Sequence, residues 1–164
     1  MSASLVLKLS VFALAAGTST GMECKGDNGD VVDWWAAVKY PDGSSYSYAD
    51  ASSPAFQKSS FDMSNANSGA LSATLNQIYA GSESSTGYIF YNDESPDGKT
   101  WGTAWGHFKG VVGMTSSGGF WLVHSTPRIP ETVAVGWNGF PQKAMKYGQT
   151  FLCLTLSTDS LNTV

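Results

Sequence analysis

The sequence predicts an α+β fold in which a mixed or antiparallel β-sheet packs against helices. Several short segments alternate apolar and polar residues and are bounded by glycine, proline and serine, as strands in such folds are. One longer stretch repeats its apolar residues at the spacing of an α-helix. The length of 164 residues suits one domain, and 42% hydrophobic residues provide ample material for its core.

The first 20 residues are expected to be a secretory signal peptide. Lys8 is the only charged residue before Glu23, the run from Leu9 to Gly17 is apolar, and small residues follow it. This pattern is typical of secretion and is too short to span a membrane. We therefore expect a mature domain over residues 21–164 that is not membrane-bound. An N-terminal helix of a cytosolic protein is the alternative interpretation.

A hairpin and a helix are predicted next. Residues 31–40 and 46–49 are expected to be strands joined by a turn at Pro41-Asp42-Gly43, and residues 50–67 a loop. Residues 68–80 are the clearest helix, with Ser68 as N-cap and Gly81 just past its end. The apolar residues of this helix fall on one face, which should pack onto the sheet: Leu71, Leu75, Ile78 and Tyr79.

Four more strands are expected after the helix. They are residues 87–92, 106–114, 120–125 and 150–157, and the turn Thr115–Gly119 joins the second to the third. A polar loop precedes the second of them, and a long loop over residues 127–141 separates the last two.

The two histidines of the chain lie in one predicted hairpin. Alternate side chains of a strand share a face, so His107 and Lys109 are expected to point the same way. Pairing Thr115 with Phe120 across the turn adds two more basic side chains to that face, His124 and Arg128. A β-bulge would break this register.

An imidazole beside an ammonium group suits chemistry on a phosphate. Histidine can act as a nucleophile or as a general acid and base, and lysine stabilises charge on phosphate oxygens. Such a site needs neither a metal nor another cofactor, and the sequence shows no zinc-binding cluster of Cys and His. The alternative interpretation is an ordinary half-exposed strand at His107 and a hydrogen-bonded structural histidine at His124.

Cys24 and Cys153 are the only cysteines, near opposite ends of the mature chain. In an oxidising compartment such a pair is expected to form one disulfide. Two free buried thiols are the alternative.

Short motifs along the chain resemble the deoxyribonuclease II family. The strongest likeness is in Gly106-His107-Phe108-Lys109-Gly110-Val111 and in the run Gly118–Pro127, which reads GGFWLVHSTP. The other matching segments occur in the order of the family: Cys24–Asp27, Val32–Trp34, Lys39–Pro41, Tyr46–Asp50, Tyr91–Asp93 and Tyr147–Cys153. The family carries cysteines in the same two contexts, which supports the disulfide.

The resemblance implies a phospholipase D-like half domain and an acid, metal-independent endodeoxyribonuclease. A full-length family member has two similar halves, each with an H-x-K motif. One histidine attacks a DNA phosphodiester, the other protonates the leaving oxygen, and the products carry 3′-phosphates. Here His107 and Lys109 match the first motif, and His124 is expected to contribute to the same half-site. Arg128, in the loop that follows, is a candidate phosphate contact by its charge, and an ordinary solvated side chain is the alternative. With the signal peptide, the resemblance implies secretion or a lysosomal location.

The net charge of −4 shows no general basic face of the kind that nucleic-acid-binding proteins carry. A protein without a polyanionic partner fits this charge. A nuclease that works in acid, where carboxylates begin to protonate and repel DNA less, fits it too. The resemblance implies the second.

The likeness covers only the N-terminal half of a family member, and these 164 residues hold no second H-x-K motif. Three explanations are open. The sequence is a fragment of a longer nuclease, or two copies form a C2 homodimer that pairs His107 across its axis. Otherwise it is a catalytically inactive secreted paralogue that binds DNA or a host partner.

Overall fold

The computed structural model of the protein describes residues 21–82, 85–100 and 106–163, so the predicted signal peptide lies outside the described residues. The strands are β1 (Trp34–Lys39), β2 (Tyr46–Asp50), β3 (Gln57–Lys58), β4 (Gly87–Tyr91), β5 (Gly110–Thr115), β6 (Gly118–His124) and β7 (Gln149–Leu156). The helices are α1 (Ala70–Ala80) and α2 (Thr158–Leu161).

The seven strands form one antiparallel sheet in the order β3-β2-β1-β7-β6-β5-β4. The α+β prediction is confirmed, and the sheet is antiparallel rather than mixed. The short strand β3 was missed because both of its residues are polar and exposed, so no apolar alternation marks it. Within the described ranges, no helix is long and apolar enough to cross a membrane.

The core lies on one face of the sheet. Side chains alternate between the two faces of a strand, and Trp35, Phe120 and Phe151 are buried on the inner one. Helix α1 covers this face through the fully buried Leu75, and Trp35 Nε1 donates to Thr74 Oγ1 at 3.2 Å. The apolar face predicted for the helix therefore packs onto the sheet as expected.

Helix α1 begins later than predicted because its N-terminus is capped from elsewhere in the chain. Gly69, not Ser68, holds the N-cap position, with a φ of 83°. The N–H of Ala70 donates to Asp27 Oδ1 at 3.1 Å. A carboxylate at this position satisfies a free N–H and complements the helix dipole. At the other end Gly81 follows the last helical residue as predicted, and its backbone there is extended, with a φ of −69°.

The hairpin of β5 and β6 has a tighter turn than predicted. Thr115 pairs with Gly118, which leaves a two-residue loop, the length that tight hairpins favour. Gly119 belongs to the strand, where an added Cβ would lie 2.2 Å from Gly113 O. The predicted pairing of Thr115 with Phe120 was therefore wrong by two residues. A shift of two keeps every side chain on its original face.

A disulfide joins Cys24 to Cys153 and confirms the predicted pairing. It fixes the N-terminal segment to β7, where Cys24 N–H also donates to Thr155 Oγ1 at 2.9 Å. The bonded cysteines are 129 residues apart. Closing a loop of that size contributes about 5 kcal/mol in the loop-entropy model.

Candidate active site

The candidate site lies at the end of the sheet where β4 stops and β5 begins. Antiparallel pairing sets Tyr91, the last residue of β4, opposite Gly110, the first of β5. Strand β6 ends at the same edge, where His124 N–H donates to Lys109 O at 3.1 Å. His107 and Lys109 precede β5, so their predicted place inside a strand was wrong. Strand β4 ends at Tyr91, which pairs with Gly110, so β4 has no residue left to pair with His107 or Lys109.

The carboxylate of Asp93 joins the two residues of the H-x-K motif. Its Oδ2 contacts His107 Nδ1, and its Oδ1 contacts Lys109 Nζ. The Lys109 side chain is 3% exposed, whereas the His107 side chain is 81% exposed. The ammonium group therefore lies beneath an imidazole that reaches solvent, and one carboxylate holds both.

The pKa of Asp93 lies below its ordinary value. Burial raises this pKa, but the hydrogen bond and charge of Lys109, together with the His107 imidazole, lower it by more. The carboxylate consequently stays ionised in mild acid. The contacts to His107 and Lys109 should persist under those conditions.

His124 is buried beside this cluster and is uncharged. Its Nδ1 accepts a hydrogen bond from Thr126 N–H at 3.2 Å, so the ring proton of the neutral form lies on Nε2. Within the described part of the chain, Nε2 has no hydrogen-bond partner. Burial, followed by the nearby Lys109 ammonium, lowers the pKa of His124 to about 3. The ring packs against Phe151, with centroids 6.1 Å apart.

Arg128 lies beside the cluster rather than on a shared strand face. Strand β6 ends at His124, so the predicted alternation does not extend to Arg128, and its expected alignment with His107 was wrong. The backbone is left-handed there, with a φ of 65°. The guanidinium contacts Glu94 Oε1 through both Nε and Nη2.

A cleft of about 300 Å³ opens over the carboxylate-linked pair. The described residues that line it are Asp93, Glu94, Thr100, His107, Lys109, Ser125 and Pro127. Trp101 and Trp105, the two tryptophans that precede His107, lie outside the described residues. Across the ranges that the structure describes, no three His, Cys, Asp or Glu side chains group as metal ligands.

Asp93 is the residue of this cluster that the sequence analysis missed as a site residue. The only available signal was its position directly after an aromatic strand, within the Tyr91–Asp93 motif. Its neighbour Asn92 fixes the local backbone, because Nδ2 donates to Thr126 O at 3.1 Å and to Ile129 O at 2.9 Å. These bonds hold the end of β4 against the segment that follows β6.

The fold and the cleft define a disulfide-linked α+β domain whose imidazole, carboxylate and ammonium cluster suits an anionic substrate. A sequence model of deoxyribonuclease II matches residues 23–164. The chain belongs to the deoxyribonuclease II family.

Three curated relatives illustrate the likeness. Deoxyribonuclease-2-alpha of Mus musculus is 35% identical over 146 residues, which are 82% of this chain and 41% of the relative. Deoxyribonuclease-2-beta of Mus musculus is 33% identical over 92% of this chain and 45% of the relative. Cell death-related nuclease 6 of Caenorhabditis elegans is 31% identical over 94% and 43%. The chain thus spans less than half the length of these relatives.

His124 is expected to make the domain less stable in acid. An unfolded histidine takes up a proton below a pKa near 6.5, whereas the native one does so only near 3. The contribution of the buried, neutral His124 to the unfolding free energy is therefore at its full value above about pH 6.5. It is lost as the pH falls below that value. Between pH 7 and pH 5 the loss should be about 2 kcal/mol.

Urea unfolding of the wild type and of His124→Gln measures this contribution. The unfolding free energy of the wild type minus that of the variant should fall by about 2 kcal/mol between pH 7 and pH 5. Between pH 7 and pH 8 it should stay constant, which serves as the internal control. A difference that is constant from pH 5 to pH 8 contradicts the burial of a neutral His124.

Proposed function

We propose that the protein is a nuclease that hydrolyses DNA phosphodiesters in acid, without a metal, at the cleft of His107. One observation carries this proposal. In a chain of the deoxyribonuclease II family, Asp93 holds an exposed imidazole and a buried ammonium together at one cleft. The relatives named above are deoxyribonucleases and a cell death-related nuclease, which supports DNA as the substrate.

His107 is the proposed nucleophile. Because Nδ1 faces the Asp93 carboxylate and carries the ring proton, the lone pair of Nε2 is free to attack phosphorus. The P–O5′ bond breaks as the N–P bond forms, and the departing oxygen takes a proton from an acid. Water then hydrolyses the phosphohistidine and leaves a 3′-phosphate. Lys109 stabilises the charge that develops on the phosphate oxygens.

The acid that protonates the leaving oxygen must lie on the far side of phosphorus from His107. His124 does not suit this role, because it is buried and its pKa is lowered to about 3. We infer that residues 21–164 form one phospholipase D-like half and that a second H-x-K half-site completes the reaction. A second copy of this chain, placed by a twofold axis, is one source of that half-site.

Light scattering coupled to plasmid nicking tests the homodimer. The oxidised domain is fractionated at about pH 5, and each fraction is assayed in EDTA. Activity is expected only in a dimer peak, because each cleft then gains an acid from the other copy. An active monomer would contradict the two-copy site.

Acid operation and a secreted or lysosomal location belong to the same proposal. The net charge of −4 opposes DNA binding at neutral pH, and this repulsion weakens as carboxylates protonate. Asp93, whose pKa is lowered, keeps its charge after ordinary carboxylates begin to lose theirs. The disulfide suits an oxidising compartment.

A second candidate function is binding without catalysis. The observation that favours it is the single H-x-K motif, which leaves the chain with one half-site. A secreted, catalytically inactive paralogue would then engage DNA or a host partner. Salt-dependent binding of DNA at acid pH with no cleavage product from any fraction would support this alternative.

Replacing His107 by Ala is expected to lower plasmid nicking about 10³-fold or more, because the nucleophile is lost. The side chain is 81% exposed, so the unfolding free energy should change by less than about 1 kcal/mol. Wild-type nicking at pH 5 should be equal in EDTA and in Mg²⁺. Undiminished nicking by His107→Ala would overturn the proposal.

A further inference from the structure

A second cleft continues from the first at the rim of the site. It measures about 220 Å³, against about 300 Å³ for the cleft over His107. Glu94 and Pro127 line both, so the two clefts adjoin each other. The other residues that line the second cleft are Arg128, Pro141, Lys143, Ala144 and Tyr147. We call this second cleft the flanking groove.

Positive charge gathers at the flanking groove. The chain has nine Lys and Arg residues in all and a net charge of −4. Arg128 and Lys143 line the groove, and Lys146 Nζ lies 5.8 Å from the ring centroid of Tyr147. Three of the nine cations thus lie together beside the catalytic cleft. A local cluster of this kind in an acidic protein favours an anionic ligand.

Tyr147 supplies an aromatic surface among these cations. The residue is 55% exposed, so much of its side chain is accessible to solvent. Proteins that bind single-stranded nucleic acid combine cations along the backbone with exposed rings on which bases stack. The flanking groove has both features.

The backbone beneath these side chains is fixed by a buried lysine. Lys39 is fully buried, and its ammonium group donates hydrogen bonds to three carbonyl oxygens: Tyr40 O at 2.6 Å, Gly43 O at 2.7 Å and Met145 O at 2.9 Å. A buried ammonium is tolerated when its three donors are all satisfied. Met145 lies between Lys143 and Tyr147, so these side chains project from an anchored segment. Such preorganisation lowers the entropic cost of binding.

Arg128 is also held in place, at the junction of the two clefts. Glu94 contacts its guanidinium from one side. An added Cβ on Gly98 would lie 3.4 Å from the guanidinium carbon, so the chain passes close to it there as well. The guanidinium is therefore fixed where a strand leaving the catalytic cleft would pass, and Glu94 offsets part of its charge.

We propose that the flanking groove holds the DNA strand next to the reacting phosphate. Arg128 and Lys143 contact backbone phosphates, and Tyr147 stacks on an unpaired base. This inference rests on the proposed function, because it places the reacting phosphate at His107. It adds a binding site for the neighbouring nucleotides and predicts a preference for longer single strands.

Binding of oligothymidylate by fluorescence anisotropy tests the groove. A labelled twelve-residue strand is titrated with the oxidised domain at pH 5, and unlabelled thymidylyl-thymidine is measured by competition. Tyr147→Ala and Lys143→Ala should each weaken binding of the long strand about 5- to 50-fold. Both should lose much of the preference for the long strand over the dinucleotide. Lys143→Ala should also lower the salt slope by about one.

Two control variants match these changes in chemistry and exposure. Phe56→Ala removes a ring from a residue that is 54% exposed, and Lys58→Ala removes an exposed cation on β3, the strand at the opposite edge of the sheet. Neither should alter binding. The proposal is overturned if the groove variants bind as well as the controls, or if the wild type binds no oligonucleotide. Groove-dependent binding without cleavage supports the groove and contradicts the proposed nuclease activity.

Discussion

The ion pair between Asp93 and Lys109 is the constraint on which the site depends. The Lys109 ammonium group is almost fully buried, and the Asp93 carboxylate supplies its counter-charge. The same carboxylate contacts His107, so the group that stabilises the lysine also orients the imidazole. Pairing of β4 with β5 sets this geometry, because one strand ends just before Asp93 and the other begins just after Lys109.

The surroundings of the pair keep it in place and control its charge. Asn92 holds the end of β4 to the segment after β6 through two hydrogen bonds. His124 is buried and stays neutral, because burial and the nearby Lys109 ammonium group both oppose a second positive charge. His124 therefore adds no charge beside the Asp93, Lys109 and His107 cluster. This arrangement is compatible with the proposed nuclease activity in acid.

Local patterns and family likeness predicted much of this protein. The apolar face of α1, most strands, the disulfide and the H-x-K pair all have signals within a few residues or in a known motif. The helix cap was missed because it comes from Asp27, 43 residues away from Ala70. The hairpin register was misjudged because two glycines look like turn residues, although close backbone contact requires one of them inside the strand.

The remaining site features could not be read from sequence because they join distant residues. Asp93 meets Lys109 only after β4 and β5 pair, and the intervening loop hides that proximity. Lys39 looks like an ordinary end of a strand until the fold carries Met145 to its ammonium group. The sequence prediction put Arg128 on the same face as His107 by extending the strand alternation beyond His124, where β6 ends.

A double-mutant cycle on Asp93 and Lys109 tests the central claim most directly. The unfolding free energies of Asp93→Asn, Lys109→Met and the double variant are measured at pH 5. Each single change should cost about 3 kcal/mol, since it leaves a buried polar or charged group without its partner. The double variant should cost no more than either single one. Costs that add to within about 0.5 kcal/mol would show that the pair does not organise the site.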